Sequence, residues 1–136
     1  MNKIDNTWQK DWELKENPKK EKEISLKLIE VFKAFLIDYK IDEKSKKTKE
    51  RYYWHLHALG GYIIEQAIYD EEYKDNETME ILLEQLSPYE GPLIYHSNES
   101  HQKELDTVCK RLYKFLKKII TNHELQRNFF ASLRNP

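Results

Sequence analysis

Ser45-Lys46-Lys47-Thr48-Lys49-Glu50-Arg51-Tyr52-Tyr53-Trp54-His55-Leu56-His57-Ala58-Leu59 decides the fold of this chain. Ser45 has the short hydroxyl side chain that suits a helix N-cap, and Thr48 offers a second capping hydroxyl at the third helical position. Tyr52, Leu56, Leu59, Ile63 and Ala67 then recur at steps of three and four residues, which marks one apolar stripe of an amphipathic helix. Gly60-Gly61 lies inside this stripe. Two helical glycines cost about 1 kcal/mol each relative to alanine. The pair therefore predicts a neighbouring helix packed against them, or a kink.

Working toward the N-terminus, Ile24, Leu28, Val31, Phe32, Phe35 and Tyr39 form an earlier stripe of the same kind. Asn17-Pro18 opens it, since Asn caps well and Pro lacks only an N–H that would be unpaired there anyway. The stripe breaks at Ile41-Asp42-Glu43-Lys44, so the helix is expected to end near Lys40. Residues 1–16 read as a polar N-terminal arm. Its Trp8 and Trp12 are four apart and share a face if that segment is helical; they are expected to dock on the core, and a partner-binding arm is the other reading.

Working toward the C-terminus, residues 70–77 form an acidic loop, and Asn76 is placed to cap a short helix carrying Met79, Leu82, Leu83 and Leu86. Ser87-Pro88-Tyr89-Glu90-Gly91-Pro92 is a break rich in turn formers. Leu93, Ile94 and Tyr95 are expected to plug the core. Ser97 or Asn98 then caps a long helix whose stripe is Leu105, Val108, Cys109, Leu112, Leu116 and Ile119. No segment alternates as a strand does. The expectation is an all-α, single-domain bundle of four main helices (about 18–40, 45–68, 77–87 and 98–121), with a short C-terminal helix over 123–133. The helical domain spans 17–136.

Composition supports this reading. Hydrophobic residues make up 39% of 136, enough for one core, while 35% charged residues and only three glycines suit long solvated helices. There is no apolar run of bilayer length, and the N-terminus has no apolar signal core. The lone Cys109 has no partner for an internal disulfide. The chain is expected in the cytoplasm, away from membranes. Its net charge of −1 is uneven: residues 1–60 hold 14 Lys/Arg and 11 Asp/Glu, residues 61–100 hold one and ten, and residues 101–136 hold eight and three. An acidic middle thus lies between basic flanks, either complementing each other within the fold or creating a local field for a polyanion.

Phe35-Leu36-x-x-Tyr39 followed by Ser45-x-x-Thr48-x-x-x-Tyr52-x-x-x-Leu56-x-x-Leu59 resembles the SAM-like N-terminal, core-binding domain of tyrosine recombinases of the phage-integrase type. The resemblance covers about residues 24–68. It implies a small helical DNA-clamping domain, with the Ser-x-x-Thr-x-x-x-Tyr pattern opening its second helix. The family's catalytic half has no counterpart, since no His-x-x-Arg occurs in the chain. The glycine pair and the acidic middle also depart from a typical clamp. The resemblance therefore implies a stand-alone contact module without recombinase chemistry.

Two lysine-rich clusters are the sharpest candidates for a binding surface. Lys44, Lys46, Lys47, Lys49 and Arg51 surround the start of the second helix, where unpaired N–H groups and the positive dipole end favour phosphate. Lys110, Arg111, Lys114, Lys117 and Lys118 follow on the last helix, with Lys110, Lys114, Lys117 and Lys118 on one side. Solvated helix faces are the alternative explanation for both. His55 and His57 are two apart and point apart on a helix, so no metal ligand set is read; His96, His101, His123 and Cys109 add none. Cys109 sits within an apolar stripe as an inert buried thiol. Asp70-Glu71-Glu72 lacks an apolar pocket to raise a carboxyl pKa. The resulting expectation is a non-enzymatic binding module without catalytic residues, cofactor or metal. DNA is the favoured ligand, and a protein–protein adaptor or inhibitor using the acidic, aromatic-rich surface of Tyr52, Tyr53, Trp54, Tyr62, Tyr69 and Tyr73 is the alternative.

Overall fold

The computed structural model describes residues 3–121. It holds five helices: α1 (Thr7–Asp11), α2 (Pro18–Asp38), α3 (Lys46–Tyr69), α4 (Thr78–Gln85) and α5 (Glu99–Thr121). Short 3-10 turns at Ile41–Glu43 and Glu71–Tyr73 join α2 to α3 and α3 to α4. The described residues are 73% helical, with no strand among them. The helix expected over 123–133 lies outside them. No described helix is long and apolar enough to cross a membrane.

The central element is α3, which packs against α2, α4 and α5. Its Leu56, Leu59 and Ile63 are fully buried, as are Leu28 and Phe32 of α2, Ile81 and Leu82 of α4, and Leu105, Val108 and Leu112 of α5. Each such side chain contributes about 1.5–3 kcal/mol on leaving water. The three- and four-residue spacing of these positions is what puts them on one face of each helix.

The helix ends follow their local chemistry. Asn17 accepts a hydrogen bond from Lys20 N, and Ser45 Oγ accepts from Thr48 N at 3.2 Å. After Tyr39, Lys40 turns into the left-handed region (φ 59°), which ends α2 and sends the chain into the 3-10 turn. Asn98 accepts from His101 N and caps α5. At the other end of α3, Lys20 Nζ donates to the carbonyls of Ala67 and Lys74, supplying a cation where the helix leaves carbonyls unpaired.

Three expectations are corrected. The cap of α4 is Glu77 rather than Asn76, because Ile81 N bonds to the Glu77 carbonyl. Leu93 is exposed and does not enter the core, whereas Ile94 and Tyr95 pack on it. The glycine pair accommodates a tryptophan from the arm rather than a neighbouring helix. A Cβ at Gly60 would fall inside the Trp12 indole, while one at Gly61 would meet it at ordinary contact, 3.4 Å. Trp12 Nε1 donates to the His57 carbonyl at 2.9 Å, and Trp8 and Trp12 meet edge to face at 5.6 Å. Both tryptophans are buried.

A carboxylate ties this arm to α2. Glu21 is almost fully buried. One of its oxygens accepts from Leu14 N (2.6 Å) and Lys15 N (3.0 Å), the other from Glu16 N (2.9 Å) and Asn17 N (2.7 Å). Lys15 adopts φ 62°, which turns successive amides toward one point.

Candidate nucleic-acid interface

The two basic clusters of the sequence meet around Tyr39, the C-cap of α2. The Tyr39 ring stacks on Tyr52 of α3 at 4.5 Å and 19°. Phe35 lies beside both rings and touches Phe115 of α5, so the tyrosine pair is anchored on the core. Lys44 Nζ lies 4.6 Å from the Tyr39 ring centre and Arg111 Cζ lies 5.2 Å from it. Both are within cation–π range, worth about 0.5–1 kcal/mol each at exposed sites. Burial, with a Tyr39 hydrogen bond next in size, pushes the Tyr52 hydroxyl well above the usual phenol range, so it stays neutral.

A groove of about 280 Å³ runs between α3 and α5 at this point. Arg51, Lys103 and Arg111 supply its cations, Tyr39 and Tyr52 its aromatic wall, and Glu104 its carboxylate. Arg51 Nε lies 3.5 Å from Glu104 Oε2, and the same oxygen lies 3.0 Å from His55 Nε2. A hydrogen bond from His55, the largest influence, holds the Glu104 carboxyl below its ordinary value. Burial pushes His55 the other way, toward the neutral ring, against the smaller pull of Glu104. An ionised carboxylate accepts only, so His55 Nε2 carries the proton and Nδ1 accepts from the Tyr95 hydroxyl at 3.0 Å.

Tyr95 is held in place from α5. Gln102 Oε1 accepts from the backbone N–H groups of Ile94 and Tyr95, and Gln102 Nε2 donates to the Pro92 carbonyl. Asp106 accepts from Gln102 and from Gly91 N. A Cβ at Gly91 would collide with Cys109 Sγ, so glycine lets this segment lie directly on α5.

The sequence candidates thus divide. Lys44, Arg51 and Arg111 are brought together at the tyrosine pair. Lys46 and Lys47 are exposed on the first turn of α3, and Lys49 is half-buried there. Lys110 and Lys114 are exposed on the outer face of α5. Lys117 lies 5.9 Å from the Tyr113 ring, and Lys118 pairs with Asp38 at 3.3 Å, which offsets its charge. Sequence reasoning missed Lys103, Tyr39 and the His55–Tyr95–Glu104 network. For Lys103 a signal existed: it stands seven and eight residues before Lys110 and Arg111, on one helical face. The network has no local signal, because its members come from three separate segments.

The remaining candidates have structural roles. His57 pairs with Asp11 at 2.9 Å and meets the Trp8 ring edge-on. Cys109 is fully buried, and burial pushes its thiol far above the usual range. Among the described residues no group of three or more His, Cys, Asp or Glu is placed to hold a metal ion. No protein-family model, curated protein or solved structure matches the chain.

Proposed function

We propose that this chain is a non-enzymatic binding module for the phosphate backbone of nucleic acid, with DNA the favoured ligand. The observation that carries the reading is the convergence of Lys44, from the α2–α3 connection, and Arg111, from α5, over the Tyr39 ring, with Arg51 and Lys103 in the adjoining groove. Lys46 and Lys47 extend the cationic surface along the first turn of α3, and Lys110 and Lys114 extend it along α5. The likeness of Ser45–Leu59 to a recombinase core-binding domain supports the same ligand class.

Such contacts are insensitive to base sequence and weaken steeply with salt. Duplex DNA titrated at about 50 mM salt is expected to bind, and to bind at least tenfold more weakly at about 200 mM. Reversing Lys46, Lys47 and Arg111 to Glu together is expected to abolish retention at the lower salt. Absence of binding by the wild-type chain at low salt removes this reading.

The aromatic surface expected for an adaptor does not form as one face, since Tyr52, Tyr53 and Tyr73 are buried while Trp54 and Tyr69 are exposed. The adaptor reading therefore rests on a different surface. Tyr89 and Leu93 are well exposed on either side of Glu90-Gly91-Pro92, within the acidic part of the chain. That pattern suits a basic protein partner with apolar pockets. It predicts no DNA retention at low salt, so one titration separates the two.

A further inference from the structure

Of the three tryptophans, Trp8 and Trp12 are buried, whereas Trp54 is 56% exposed in the middle of the central helix. The core does not enclose this indole, and more than half of its surface is open to solvent. Arg51 stands three residues before it, so both project from one face of α3, about one helical turn apart. The Tyr95 ring lies on the same side. The Trp54 indole N–H donates to the Tyr95 hydroxyl, which lowers the pKa of that hydroxyl against the larger, raising effect of burial. His101, exposed at the start of α5, meets the Tyr95 ring edge-on at 5.6 Å. The aromatic group and the cationic groove are joined through Glu104, which Arg51 and His55 hold in place.

We propose that the exposed ring of Trp54, held by Tyr95, is a base-stacking platform beside the Arg51–Arg111 groove, and that the ligand is single-stranded nucleic acid. This rests on the phosphate-binding reading above and narrows it. A duplex keeps its base faces stacked inside and offers an indole only its backbone and groove edges. A single strand presents both a phosphate for the groove and a free π-face for the platform. The platform is preorganised, because Tyr95 is fixed through its backbone by Gln102 and through its hydroxyl by His55. Stacking does not discriminate strongly among bases, so binding is sequence-tolerant. Glu50, exposed one turn before Trp54, and Glu104 are the carboxylates bordering the platform. Their repulsion makes the base contact, not phosphate contact alone, decide the affinity at this edge.

The test uses the exposure of Trp54, the one exposed indole of the three, as its reporter. The intact chain is titrated at low salt with oligothymidylate and oligouridylate of about ten nucleotides. An abasic strand of equal length and a duplex are the references. Oligothymidylate is expected to quench the fluorescence and to bind about tenfold more tightly than the abasic strand, which reads phosphate contact alone. Trp54→Ala is expected to erase that advantage, and Trp54→Phe to restore part of it, with circular dichroism verifying both folds. Tighter oligothymidylate assigns DNA and tighter oligouridylate assigns RNA; either supports the platform. Equal affinity for the base-bearing and abasic strands, or tighter duplex binding, overturns the platform and leaves the phosphate reading standing. Failure of every polyanion to bind at low salt overturns both.

Discussion

Glu21 offers the strictest test of how the arm is attached. Its two carboxylate oxygens take all four backbone N–H groups of residues 14–17, at 2.6–3.0 Å. A hydrogen bond to a charged acceptor contributes about 1.5–3 kcal/mol, so four would set an upper bound of roughly 6–12 kcal/mol. Lys15, Glu16 and Asn17 are exposed, however, and water can reach much of what the carboxylate leaves. Glu21→Ala is therefore expected to cost about 3–4 kcal/mol. Glu21→Gln is the sharper perturbation. It conserves shape and volume, but its amide nitrogen is a donor pointed at two other donors. Half of the hydrogen bonds are lost and the remaining pair is strained, so the cost is expected to approach that of alanine, about 2–3 kcal/mol.

The pH dependence has a definite sign. Burial alone pushes the Glu21 carboxyl up, but the four amides together outweigh it and hold the carboxyl below its ordinary value of 4.5. A carboxyl depressed on folding contributes stability that is complete above its unfolded pKa and is lost as pH falls through the folded one. Urea denaturation of wild type and Glu21→Gln at pH 7 should thus show the full gap, and the gap should narrow steadily below about pH 4.5. A gap under about 0.5 kcal/mol at pH 7, or one independent of pH, refutes the reasoning and makes Glu21 a packing residue.

Two further predictions concern packing. Gly60→Ala drives a methyl group into the Trp12 ring and is expected to destabilise by about 2–3 kcal/mol despite the better helix former. Gly61→Ala meets Trp12 only at contact distance and is expected to stabilise by about 0.5–1 kcal/mol, both read by denaturant midpoint. Cys109 should resist a thiol reagent at pH 8 in the folded chain and react fully in urea, since burial both shields the sulfur and suppresses the thiolate.

What was legible in the sequence follows one rule: periodic features show, convergent ones do not. Tyr52, Leu56, Leu59, Ile63 and Ala67 announced α3 because helix geometry repeats, and Ser45 announced its start because a cap acts over three residues. Trp8 and Trp12 were legible as a pair for the same reason. The partner of Gly60 was misread as a helix because a missing side chain reveals an approach but not its source. The Glu21 cradle was missed because its loop depends on a left-handed lysine, Lys15, where a glycine would have been the usual sign. Lys44 and Arg111 were each visible as part of a charge cluster. Their meeting over Tyr39 depends on how α2, α3 and α5 pack, which no local spacing encodes.

On the proposed reading, that convergence is how a chain of net charge −1 would offer a polyanion a surface. At physiological ionic strength a charge is screened beyond about 8 Å, so a ligand responds to the groups it approaches and not to the total. The carboxylates of the acidic middle act mainly where they cluster, around residues 70–90. In the groove, Arg51, Lys103 and Arg111 face one carboxylate, Glu104, which is already engaged by Arg51 and His55. On that reading a phosphate arriving there would compete with Glu104 for Arg51 and would meet Lys103 and Arg111 without that competition. Glu104 therefore has two opposed effects: it orients Arg51 toward the groove and lowers the groove's attraction for phosphate. Its charge makes the field there a matter of geometry, with affinity drawn from how the cations are aimed more than from how many there are.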